Sequence, residues 1–127
     1  MEDTMTIAST MVGNGAVKIR PEGEIDIYTA PALKRHLQDA MEAGIPRILI
    51  DLTATTYLDA TALGVMVGAL KQHCDATKGG VEGNSIEIIL APGRIHRVFE
   101  ITGLDRLFTI HPTVEAAFDA EKKPVEV

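Results

Sequence analysis

The chain has 127 residues, 46% of them apolar, with one cysteine and a formal charge of −6. A single domain of this length can bury a core without disulfide or metal staples, and with no tryptophan and only 4% aromatics that core is aliphatic. The negative balance, with basic residues adjacent only at Lys34-Arg35 and Lys122-Lys123, argues against a nucleic-acid partner held by phosphate contacts.

In chain order, Met5 to Val12 reads as a strand, Gly13-Asn14-Gly15 as a hairpin turn, and Ala16 to Arg20 as a second strand with Val17 and Ile19 on one face. Pro21 to Gly23 is expected to break that strand. Thr29 is a candidate N-cap with Pro31 in the first turn of a helix that turns Leu33, Leu37, Ala40 and Met41 inward and stops at Gly44. Ile48-Leu49-Ile50, closed by Asp51, reads as a buried strand, and Ile48 to Leu52 is predicted to be central. The best-packed helix is expected over Ala62 to Asp75, with Asp59 as N-cap and Leu63, Met66, Val67, Leu70 and Cys74 on the core-facing stripe.

Glycines and an asparagine over Lys78 to Ser85 predict a flexible surface loop. A strand Ile86 to Leu90, a break at Pro92-Gly93, a helix Arg94 to Ile101 ending near Gly103, a short strand Leu107 to Ile110 and a last helix Thr113 to Glu121 follow, with residues 121–127 as a loose tail. The alternation predicts one α/β domain: a mixed, mostly parallel β-sheet with an N-terminal hairpin, packed against about four helices. No apolar run is long enough to cross a bilayer, and Met1-Glu2-Asp3-Thr4 is acidic rather than signal-like, so a cytoplasmic protein without membrane contact is expected. The lone Cys74 reads as a small core residue in a reducing compartment.

The chemistry-bearing residues are few. Thr61 lies at the start of a helix, where the positive end of the dipole tolerates an added phosphate. On residue type alone, such a threonine can equally be one that merely satisfies backbone. Asp26 and Asp59 could form a carboxylate pair, but no His, Cys or Lys lies within a few residues to complete a catalytic set. They are expected to cap backbone and to add negative charge around Thr61. His36, His73, His96 and His111 have no metal-ligand spacing with one another or with Cys74, and Gly13-Asn14-Gly15 is a turn rather than a phosphate loop. Neither metal nor cofactor is expected. Gly64 and Gly68, four apart on the helix, allow two readings: close packing on the sheet, or a smooth surface that a partner approaches closely.

The stretch Asp51-Leu52, Tyr57-Leu58 and Asp59-Ala60-Thr61-Ala62-Leu63-Gly64-Val65 resembles the core motif of STAS domains, in particular the anti-sigma-factor antagonists of the SpoIIAA and RsbV type. Gly23-Glu24-Ile25-Asp26 followed by Thr29-Ala30, and Phe99 with Gly103-Leu104, are similar to further family segments, so the resemblance covers roughly residues 5–120. It implies a STAS fold and a regulatory binding protein that is not an enzyme. The unphosphorylated form would bind an anti-sigma factor that is also a serine/threonine kinase and so release the sigma factor. Phosphorylation of Thr61 would switch it off and a phosphatase would reset it. Ala60 stands where the family has another hydroxyl, which leaves Thr61 as the sole acceptor of the motif. Asp26, Asp59, Ala60, Thr61, Ala62, Gly64, Val65 and Gly68 are the implied partner-binding residues, on a monomer or weak dimer. The same domain type also implies an alternative, an accessory subunit of a lipid or anion transporter in which Thr61 is only a surface contact.

Overall fold

The computed structural model describes residues 5–13 and 15–121. Of the expected loose tail, Glu121 is the last residue of a helix; residues 122–127, and Asn14 of the hairpin turn, lie outside the described residues. In order, the elements are β1 (Met5–Val12), β2 (Ala16–Ile25), α1 (Ala30–Glu42), β3 (Arg47–Asp51), β4 (Thr55–Leu58), α2 (Ala60–Cys74), β5 (Ser85–Ile89), α3 (Arg94–Thr102), β6 (Thr109–His111) and α4 (Val114–Glu121). Short 3-10 turns at Ala76–Lys78 and Leu104–Arg106 complete the path. The sheet runs β1-β2-β3-β5-β6, with β4 also pairing β2. Among the described residues, only β1 with β2 is antiparallel; the other pairs are parallel. The expected mixed sheet, hairpin and four helices are all present.

Strand alternation divides the core between two faces. Ile48, Ile50, Ile86 and Ile88 join one cluster with Leu33 and Leu37 of α1, Met66 of α2 and Phe99 of α3. Leu49 and Ile89 turn to the other face, where Ala117, Val114 and Phe118 of α4 cover them. That second face also holds a polar cluster. Arg47 donates to Glu87 through Nε at 2.6 Å and Nη2 at 2.9 Å, His111 Nε2 lies 2.8 Å from the same carboxylate, and Ser85 donates to it at 2.9 Å. Arg47 further donates to the Ala117 carbonyl at 3.0 Å and stands over the Phe118 ring.

Two sequence expectations are corrected and one strand is added. Pro21 does not end the second strand: β2 continues to Ile25, pairing β3 over Ala16–Ile19 and β4 over Gly23–Ile25. Pro21 falls between these two ladders, where no amide is demanded of it. The segment Thr55–Leu58, to which the sequence reading assigns no element, is a strand. The stripe of α2 is rotated: Ala62, Met66, Ala69 and His73 are the buried line, while Leu63, Val67 and Leu70 pack beside it half-buried. Cys74, likewise half-buried, donates its thiol to the Asn84 carbonyl at 3.2 Å.

Helix α1 ends as expected at Gly44. Its φ of 75° lets its amide reach the Met41 carbonyl while the Ile45 amide reaches Ala40, the paired bonds of a Schellman end. The Lys78–Ser85 loop is exposed over most of its length but tethered: Gly80 and Val81 donate backbone amides to Asp75 and His73. A Cβ on Gly80 would lie 2.7 Å from the backbone of both, so only glycine permits that approach.

Candidate functional site

Two neighbouring strand ends build the site. β2 and β4 finish side by side, Ile25 opposite Leu58, and the Asp59 amide donates to the Ile25 carbonyl at 3.2 Å. Asp26 and Asp59 therefore emerge at the same end of the sheet, each followed by a helix whose start it organises.

After β2, Asp26 Oδ1 accepts the amides of Tyr28 at 2.9 Å and Thr29 at 3.0 Å, a side-chain turn that closes the loop. Thr29 occupies the N-cap position of α1, but its hydroxyl does not cap the helix. It turns back, accepting the Asp26 amide at 2.9 Å and donating toward the Glu24 carbonyl at 2.8 Å. The capping role read from residue type is thus corrected: the threonine braces the loop that precedes the helix. Partial burial pushes the Asp26 carboxyl up, but the hydrogen bonds from Thr29 and Tyr28 outweigh it and hold the group below its ordinary range.

After β4, Asp59 is an N-cap in extended backbone. Its Oδ1 accepts the amides of Thr61 at 2.9 Å and Ala62 at 3.2 Å. Thr61 is exposed in the first turn of α2, and its hydroxyl makes no hydrogen bond among the described residues. Ala60 is exposed beside it, whereas Ala62 is fully buried in the core. Ala62 thus drops out of any docking face and supports Thr61 from beneath. Gly64 and Gly68 are exposed, and a Cβ on either would meet nothing within 4 Å. Close packing on the sheet is therefore not their purpose; they leave the outer face of α2 low and open.

That face borders a groove of about 390 Å³ between α1 and α2, with Thr61, Gly64, Val65, Gly68 and Gln72 on one wall and Lys34, Gln38 and Met41 on the other. It continues into a hollow of about 520 Å³ that reaches the Lys78–Asn84 loop. The contribution of α1 was not foreseen, although Lys34, Gln38 and Met41 share the flank of its amphipathic pattern next to the inward residues.

Among the described residues, no group of three His, Cys, Asp or Glu is placed to hold a metal ion. His73 is buried with Nε2 at 3.0 Å from the Pro46 carbonyl, and His111 belongs to the Glu87 cluster. Burial pushes the Cys74 thiol up, away from thiolate chemistry.

Residues 8–117 match the family model of the STAS domain. The chain is 34% identical over 98 residues to an anti-sigma-B factor antagonist of Staphylococcus aureus, covering 77% of this chain and 85% of that protein. It is 30% identical over 106 residues to an anti-sigma-B factor antagonist of Staphylococcus epidermidis, covering 84% and 93%. Among solved structures, an anti-sigma factor antagonist from Mycobacterium paratuberculosis superposes with a TM-score of 0.78 at 24% identity, covering 94% of this chain and 95% of that one.

Proposed function

This chain belongs to the STAS domain family, and from that membership we propose that it is an anti-sigma-factor antagonist, a regulatory binding protein rather than an enzyme. Its unphosphorylated form docks on an anti-sigma factor that is also a serine/threonine kinase, and the sigma factor is released. The docking face comprises Asp26, Asp59, Ala60, Thr61, Gly64, Val65 and Gly68, extended by the groove between α1 and α2. It acts in the cytoplasm as a monomer or weak dimer.

The observation that carries this reading is the Thr61 hydroxyl, exposed and without a hydrogen-bond partner among the described residues, on a helix start that Asp59 holds rigid. A kinase can reach it without unfolding anything. Phosphate would add about −1.5 to −2 charge beside the Asp59 carboxylate, and a partner surface fitted to a neutral hydroxyl would lose its fit. ATP and magnesium belong to the kinase, and a phosphatase restores the binding form.

Intact mass after incubation with ATP and each anti-sigma-type kinase of the same organism tests the switch. One phosphate on the wild-type chain and none on Thr61→Ala is the expected result. No phosphate with any of them would leave a constitutive accessory domain instead.

A further inference from the structure

Seven large apolar side chains are exposed among the described residues, and three of them gather at the paired ends of β2 and β4: Ile27 at 62%, Tyr28 at 87% and Tyr57 at 50%. Scattered single exposures are ordinary, but apolar groups collected at one place mark an interaction site. Both tyrosines of the chain are here. Neither backbone is loose. Tyr57 lies within β4, and the Tyr28 amide is held by the Asp26 carboxylate in the loop that Thr29 braces from behind. Aromatic side chains on a fixed backbone lose little entropy on docking, which is why tyrosine is frequent among the residues that dominate interface energies.

The rim is continuous with the proposed docking face, because Asp59 and Thr61 stand two and four residues after Tyr57 and the Asp59 amide is bonded to the end of β2. Its β2 side is acidic: Gly23 to Thr29 contains Glu24 and Asp26 and no Lys or Arg.

We infer that Ile27, Tyr28 and Tyr57 anchor the anti-sigma factor, on a partner surface that offers apolar pockets to the rings and basic groups to Glu24 and Asp26. This rests on the antagonist reading above and divides the labour within it. The rim supplies affinity that phosphorylation does not alter, while Thr61, at the α2 end, supplies the close neutral fit that phosphorylation removes.

The test is titration calorimetry with the recombinant anti-sigma factor of the same organism, using wild-type chain and the variants Tyr28→Ala, Tyr57→Ala, Met11→Ala and Thr61→Glu. Tyr28→Ala and Tyr57→Ala should each weaken binding about tenfold or more, with unchanged thermal melts because both side chains are exposed. Tyr28→Phe should retain most of the affinity, since the ring is the anchor. Met11→Ala, an exposed apolar change on the edge strand β1, should leave binding unaltered. Glu24→Gln should weaken binding at low salt and flatten the salt dependence of the affinity.

Tyrosine variants that bind like wild type, while Thr61→Glu binds poorly, overturn the rim and leave the switch standing. Weakened tyrosine variants with an unaffected Thr61→Glu keep the rim and remove the switch. A wild-type chain that binds no anti-sigma factor of its organism overturns both.

Discussion

Thr61 and Asp59 are bound to each other by local geometry. One carboxylate oxygen accepts two amides of the first turn, and this leaves the Thr61 hydroxyl outside the helix's own bonding. Asp59→Ala should cost about 1 kcal/mol, the usual loss of an N-cap, and urea denaturation reads it directly. Thr61→Ala should remove phosphorylation while keeping partner binding, because only a small hydroxyl is lost. Thr61→Glu adds a negative charge next to Asp59, and in a partly desolvated interface like charges in contact cost on the order of several kcal/mol. The same glutamate near a helix N-terminus favours folding by about 0.3–1 kcal/mol, so weaker binding with an unaltered or raised melt separates a switch from a folding defect. Asp59 was legible in the sequence because capping spans two or three residues. Thr29 was misread because its hydroxyl had a choice of partners, and the folded Glu24–Thr29 loop decided it.

Helix α2 shows the limit of reading a stripe from large side chains. Its buried line is Ala62, Met66, Ala69 and His73, which mixes small and large side chains and includes a polar one, while Leu63, Val67 and Leu70 fill its flanks. Met66→Ala should therefore cost about 2–5 kcal/mol, as for a fully buried side chain. Leu70→Ala, half-buried, should cost clearly less, about 1–2 kcal/mol from the apolar area involved. Equal losses in a chemical denaturation series would return the stripe to the leucine face. β4 escaped notice for a related reason. Four residues carry too little periodicity to declare a strand, and Thr55–Leu58 becomes one by pairing with the far end of β2.

The Arg47–Glu87–His111 cluster joins β3, β5, β6 and α4 on the face away from the proposed docking site. Burial pushes the Glu87 carboxyl up, but hydrogen bonds from Arg47, His111 and Ser85, with the charge of Arg47, outweigh it and hold the group below its ordinary value of 4.5. Its stabilisation is complete above that value, where both folded and unfolded chains are ionised. As pH falls below 4.5 the unfolded chain takes up the proton first, and stability is lost until the folded carboxyl also protonates. Asp26 and Asp75 shift in the same direction. The melting temperature should thus hold from neutral pH to about 5 and drop below it. Glu87→Gln should reduce that slope and cost on the order of 3 kcal/mol at neutral pH, because Arg47 loses its charge partner in a mostly buried site. A variant with wild-type stability and an unchanged acid limb would show the cluster to be ornamental.

Contacts between near neighbours in the chain are written in the sequence. The aliphatic runs of β3 and β5, the Schellman end at Gly44 and the Asp59 cap all follow from bonds or periodicities within a few residues. The family motif lies in the same short stretch. What required the folded chain were features assembled from distant segments: the passage of β2 through Pro21 between two ladders, and the groove between α1 and α2. The aromatic rim on two separate strand ends and the ion cluster across four elements belong with them. In each, the deciding energy is that of a side chain meeting one from far along the chain, and no local pattern encodes which distant residue that will be.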